Sequence, residues 1–220
     1  MRVIALLVFL FLPLQTSALS CNDVCRIKKV EPRFLKRGLA ERDGDKLFIA
    51  VHGKTLVFTD DQKACAASDA NKCVLYVLIA NVPQSHSLVV EKFSNLEGSD
   101  SYLIDAITGR QTELSGMPVF SPDGQEMLIT QMSNEIDNNI EIWQREADTA
   151  KLEWAHPFKQ SYVEDHNLRE MYEARVAGWS GDHISLALSS GDKKYHWTGG
   201  LTHDAAGWHL TAKSPPGLLP

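Results

Sequence analysis

The sequence predicts an almost entirely β-sheet protein built from antiparallel meanders, and three observations carry that expectation. From Lys46 onward apolar residues recur with period two or in short solid runs, as expected where successive side chains project to opposite faces of a pleated strand. Gly, Asp, Asn and Pro punctuate these runs at turn-like intervals. No stretch combines the length and the 3.6-residue apolar stripe that an independently stable helix requires.

The chain has 220 residues, 44% apolar and 23% charged. This is globular usage that supports a sizeable core and excludes disordered or collagen-like classes. Four segments are expected: an export signal over 1–20, an N-terminal extension over 21–45, a single β domain over 46–213 and a Pro-rich tail over 214–220. Arg2 precedes an apolar run, Val3 to Leu14, and then small and polar residues through Ser20. This is the plan of a signal peptide, with cleavage after Ala18 or Ser20. A spanning helix needs ~20 consecutive apolar residues, and the longest later run is only Val74 to Ala80. A soluble periplasmic or secreted product is the expectation, without a membrane span. Loss of Arg2 leaves 21 basic against 28 acidic side chains and a formal charge of −7, which argues against nucleic acid as a partner.

Cys21, Cys25, Cys65 and Cys73 form an even set, as an oxidising compartment favours. Of the three pairings we expect Cys65 with Cys73, bracketing a loop of small and polar residues, and Cys21 with Cys25. Lipidation of Cys21 is the weaker reading, because Leu19 stands one place late for a lipoprotein signal. A zinc site is disfavoured by the spacing, since structural sites favour close pairs such as Cys-x2-Cys.

The strands are expected in order at Leu47 to Val51, Thr55 to Phe58, Cys73 to Ala80, Ser87 to Phe93, Tyr102 to Ala106, Glu126 to Thr130, Ile140 to Trp143 and Ile184 to Leu188. His52-Gly53-Lys54, Ala106-Ile107-Thr108-Gly109 and Asp123-Gly124 read as turns, with Gly supplying positive φ. Residues Asn22 to Lys29 and Glu164 to Ala174 are helix-permissive but too short to stand alone; both are expected to embellish loops.

An aromatic residue, a corner and an apolar strand recur. The clearest copy is Phe120-Ser121-Pro122-Asp123-Gly124 followed by Glu126 to Ile129; a looser one spans Gly178 to Ala187, and Glu41 to Ile49 is a third candidate. Ile140-Glu141-Ile142-Trp143 and Leu152-Glu153-Trp154 complete a corner, strand, loop, strand order. Over Tyr102 to Trp154 the chain resembles the repeats of β-propellers, in particular the Ser-Pro-Asp-Gly repeats of TolB-type propellers and WD repeats. The resemblance implies a small or incomplete propeller-like stack, of about four or five blades at ~40 to 50 residues each. The 59 positions from Ser121 to Ser180 depart from that period, so a twisted β-sandwich is the alternative. The resemblance also implies rigid loops around a rim that scaffold protein contacts.

Few residues suggest chemistry. Gly-x-Ser-x-Gly, phosphate-loop, dinucleotide and His-Glu-x-x-His patterns are missing from the sequence, and we expect neither catalytic residues nor a cofactor. His183, His196, His203 and His209 fall within 27 residues, with Asp182, Asp192 and Asp204 among them. These are the candidate metal ligands or acid–base groups; the alternative places them in turns and on solvent faces. Asn134 to Asn139 carries oxygen ligands without the order of a calcium loop. Asp43-Gly44-Asp45 is a turn first and a ligand pair second. The five tryptophans, Trp143, Trp154, Trp179, Trp197 and Trp208, are expected to fill space between sheets. The function expected is that of an exported non-enzymatic binding or scaffold protein with a protein partner in the cell envelope. Its rivals are a metal-binding or enzymatic factor using the C-terminal His and Asp residues, and an inhibitor of a secreted enzyme.

Overall fold

The computed structural model describes residues 29–67, 69, 72–94, 98–131, 138–158, 172–190 and 196–212. These form four antiparallel sheets, each a meander of strands consecutive in sequence, and none closes into a barrel. The first sheet comprises β1 (Ala40–Asp43), β2 (Lys46–Val51) and β3 (Lys54–Thr59). The second comprises β4 (Val74–Val82), β5 (Ser87–Ser94), β6 (Gly98–Asp105) and β7 (Gln111–Leu114). The third is β8 (Pro118–Phe120), β9 (Glu126–Gln131), β10 (Asn138–Glu146) and β11 (Thr149–Phe158). The fourth is β12 (Tyr172–Ser180), β13 (His183–Ser190), β14 (His196–Asp204) and β15 (Gly207–Ala212).

Three apolar cores lie between successive sheets. Leu47, Ile49 and Phe58 meet Leu78, Leu88, Val90 and Ile104 between the first and second. Val89, Leu103 and Leu114 meet Met127 and Ile129 between the second and third. Leu128, Ile140 and Ile142 meet Ile184, Leu186, Leu188 and Leu201 between the third and fourth. No described core joins the fourth sheet to the first. Among the described residues the four meanders stack in sequence order.

This layering explains the two apolar patterns in the sequence. Strands β5, β6 and β9 belong to sheets covered on both faces, so consecutive residues serve different cores. Val89 faces one way while Leu88 and Val90 face the other, and Leu128 is similarly opposed to Met127 and Ile129. Such strands read as solid apolar runs. In β2, at one end of the stack, Leu47, Ile49 and Val51 are buried while Lys46 and Ala50 are exposed. All five tryptophans pack between sheets, with Trp208 buried and the others partly so.

Several elements depart from expectation. Sheet structure begins at Ala40, within the stretch expected to be an extension, because β1 pairs with β2 from Ala40↔Ile49 to Asp43↔Lys46. Its Ala-Glu-Arg-Asp sequence carries no apolar alternation to announce it. Strand β7, at a sheet edge, and the Gly-Gly-containing β14 are silent for the same reason. Short helices α1 (Pro32–Leu35) and α2 (Gln62–Ala66) were not expected as such. Pro32 starts the first with its fixed φ, and the Asp61 carboxylate caps the second by accepting the Ala64 N–H at 2.9 Å. Of the helix-permissive stretch Glu164 to Ala174, residues 172–174 begin strand β12 and residues 164–171 lie outside the described residues, as do residues 22–28 of the other such stretch, the loop 134–137, Cys21 and Cys25.

The corners are not all equivalent. Ser121 to Gln125 joins β8 to β9 and Gly181-Asp182 joins β12 to β13, in both cases the first and second strands of a sheet. In the second sheet that place is taken by a 3-10 turn, Pro83–Ser85, against which Gly124 packs closely. The His52-Gly53 turn lies at this same end, since His52 N–H bonds the Ala106 carbonyl and the Ala106 N–H bonds that of His86. The Asp43-Gly44-Asp45 corner is therefore at the opposite end. By phase, β1 to β3 match the second to fourth strands of the later sheets, and the first sheet lacks the counterpart of β4, β8 and β12.

Candidate functional site

The first strand of the second sheet, β4, has an edge that no strand pairs, and charged side chains seal it. An unpaired strand edge presents alternate N–H and C=O groups that need partners. Along β4 the Val74 carbonyl accepts the Asp61 N–H at 2.9 Å. The Tyr76 N–H donates to Asp60 Oδ1 at 2.8 Å, and the Tyr76 carbonyl accepts from Arg42 Nη2. The Leu78 N–H donates to Glu31 Oε1 at 3.1 Å. Three ionised groups thus replace a strand.

The same groups bind one another. Arg42 donates from Nε and Nη2 to the two oxygens of Glu31 at 2.7 and 2.9 Å, and from Nη1 to Asp60 Oδ2 at 2.9 Å. Both carboxylates are more than nine-tenths buried and Arg42 is about one-fifth exposed. Burial opposes the Arg42 charge, yet the hydrogen bonds and charges of Glu31 and Asp60 outweigh it and hold the guanidinium above its ordinary value. Asp60 is held above the usual carboxylate range: burial raises it and the Glu31 charge adds to this, against the lowering by the Tyr76 N–H and Arg42.

Beside this ionic floor opens a cleft of about 310 Å³ walled by Pro32, Leu35, Leu75, Val77 and Phe93. Tyr76, Gln62 and the Gly44 corner complete it. The Cys65–Cys73 disulfide, as expected from sequence, ties α2 to the start of β4 and so fastens the segment bearing Asp60 and Gln62. Apolar walls with a few convergent polar groups and a shifted carboxyl make this the candidate recognition site. None of Glu31, Arg42 or Asp60 was legible as a group, because they stand 11 and 18 positions apart and reach a strand up to 47 residues away.

The histidines singled out by sequence are not brought together. The register row His183–Thr202–His209 runs across one face of the fourth sheet. His183 contacts the hydroxyls of Thr202 and Ser185, each at 3.4 Å, and is exposed. His209 pairs with Asp204 at 3.0 Å in its own exposed hairpin, and His196 is exposed opposite Ser189. His203 faces the other way, stacked on Trp208 at 5.0 Å between ring centroids and 3.9 Å from Glu153. Among the described residues no three His, Cys, Asp or Glu side chains are grouped to hold a metal ion.

At the expected corner, Ser121 Oγ donates to Asp123 Oδ1 at 2.6 Å and accepts the Glu126 N–H at 2.9 Å. Gly124 takes φ 74°. The Ser121 hydroxyl and the Gln125 N–H hold Asp123 below the usual carboxylate range. Its role is to close a hairpin. Among the described residues no helix is long and apolar enough to cross a membrane. Comparison with family models, curated proteins and solved structures finds no match to the chain.

Proposed function

We propose that the chain is an exported, non-enzymatic binding protein that acts through protein–protein contacts in the cell envelope or outside the cell. The observation that carries this reading is the cleft beside β4, with apolar walls over an ionic floor of Glu31, Arg42 and Asp60. A rigid stack presents such a surface at low ordering cost, which favours recognition. The Arg2 to Ser20 segment and the Cys65–Cys73 disulfide support passage through an oxidising compartment. The propeller-repeat resemblance of residues 102–154 is consistent with scaffolding and names no partner.

The test is affinity capture from envelope and secreted fractions with the wild-type chain and with Leu35→Lys, which fills the cleft wall with a cationic side chain. A partner held by the wild type and lost from the folded variant is the expected result. A partner retained equally by both, or a substrate turned over by the purified chain, would overturn the reading.

A further inference from the structure

We infer that the cleft between α1 and β4 receives a basic side chain, lysine or arginine, presented by a protein partner. The inference rests on the protein-binding reading above and adds the chemistry of what is bound. Three charged residues line the cleft, Glu31, Arg42 and Asp60, so two carboxylates face one guanidinium and the floor carries one uncompensated negative charge. Both carboxylates are buried, where a charge is screened far less than at the surface. A cation brought into the cleft is the complement of that imbalance.

The walls specify the rest of the group. Leu35, Leu75 and Phe93 are apolar and suit a methylene stem, while the charged end reaches the floor. A compact metal ion would leave those walls unfilled, and an acidic side chain would meet like charge. Gln62 is exposed and lines the cleft, and its side chain hydrogen-bonds Asp60. It stands where an incoming cation first meets the carboxylate.

The experiment titrates the disulfide-intact protein with a short Gly/Ser peptide carrying a single lysine, and with the same peptide carrying norleucine. Amide chemical shifts are followed by NMR. The lysine peptide is expected to give saturable shifts at Gln62, Tyr76 and neighbouring residues, and the norleucine peptide at least about 10-fold weaker binding, the ratio that ~1.4 kcal/mol produces. Asp60→Asn removes the uncompensated charge and is expected to abolish the preference for lysine. Should that variant not fold, Gln62→Lys places an amine over the floor in cis and is expected to do the same while leaving Glu31, Arg42 and Asp60 themselves in place. Equal binding of the two peptides, shifts elsewhere, or a lysine preference that survives Gln62→Lys overturns the inference. If envelope capture still yields a partner sensitive to Leu35→Lys, the binding reading stands and only the basic-side-chain assignment falls.

Discussion

Arg145, on the third strand of the third sheet, crosses to the second sheet and donates from Nη2 to Asp105 Oδ2 at 2.8 Å, with both side chains almost fully buried. The same nitrogen reaches the carbonyls of Ser85 and Ala147 at 3.0 and 2.9 Å. Asp105 in turn accepts the N–H groups of Ile107 and Thr108 at 3.0 and 2.7 Å. One ion pair therefore pins a 3-10 turn and two hairpin turns at a seam between sheets. Breaking a buried pair leaves an uncompensated charge, at a cost of about 3–5 kcal/mol. Arg145→Ala is expected to lower stability by that amount in urea denaturation; a loss under ~1 kcal/mol would show that the pair is incidental.

Two carboxyls should give opposite pH slopes. Burial alone would raise Asp105, but the Thr108 N–H, Arg145 and the Ile107 N–H hold it below the usual range. Its stabilisation is then complete above the unfolded value of ~3.9 and is lost as the pH falls through the lower folded value. Asp60 is raised, so the folded state keeps its proton longer and stability from this group is lost as the pH rises from ~3.9 through the folded value. Denaturation series over roughly pH 2 to 7 should show Asp105→Asn flattening the acid limb and Asp60→Asn removing a decline on the rising side. Slopes of the same sign for both variants would contradict the assignment.

Gly109 and Gly53 separate strain from crowding. Both have positive φ, 72° and 69°. A Cβ on Gly109 would come within 2.7 Å of Val51 Cγ2, whereas one on Gly53 meets nothing within 4 Å. Gly53→Ala is expected to cost ~1–2 kcal/mol from the left-handed backbone alone. Gly109→Ala adds overpacking of ~1–3 kcal/mol, and equal losses in the pair would show that the two turns do not pack as described.

The Cys65–Cys73 bond closes a short loop, with a sequence separation of 8, and constraining the unfolded chain there is worth about 2–3 kcal/mol. Replacing both cysteines by Ser should lower the urea midpoint accordingly. Because the loop fastens Asp60 and Gln62 beside β4, the same variant should weaken lysine-peptide binding more than a remote change of equal stability cost. Gly109→Ala, whose expected cost spans that range, is the control.

Ser121→Ala removes a hydroxyl that donates to Asp123 and accepts from the Glu126 N–H. Loss of about 1–2 kcal/mol is expected, measurable by thermal or urea unfolding, with little effect on the distant cleft.

Much of the architecture was legible because strand periodicity is local. Ile184, Leu186 and Leu188 alternate with smaller or polar neighbours on an end sheet, whereas Leu88 to Val90 run together because their sheet is covered twice. Turn chemistry was equally local at Ser121 to Gly124 and at Gly109. The cysteine pair was readable from its separation and the intervening small residues. Edge strands such as β1 and β7 were not, since half of each faces solvent or a turn and carries no apolar signature. The histidines illustrate the reverse error of proximity: His203 is adjacent to Thr202 yet faces the third sheet with Trp208, while His183 and His209 lie on the exposed face, so closeness in sequence separated rather than gathered them.

The amino-acid order alone determined that this chain folds as hairpins with indole and branched aliphatic side chains between them, because side-chain alternation and turn residues act over a few positions. Only the tertiary structure decided that the first meander starts one strand out of phase, and that Glu31, Arg42 and Asp60 converge on the unpaired edge of β4. Long-range charge pairs have no sequence period, so the cleft emerges only when the sheets stack.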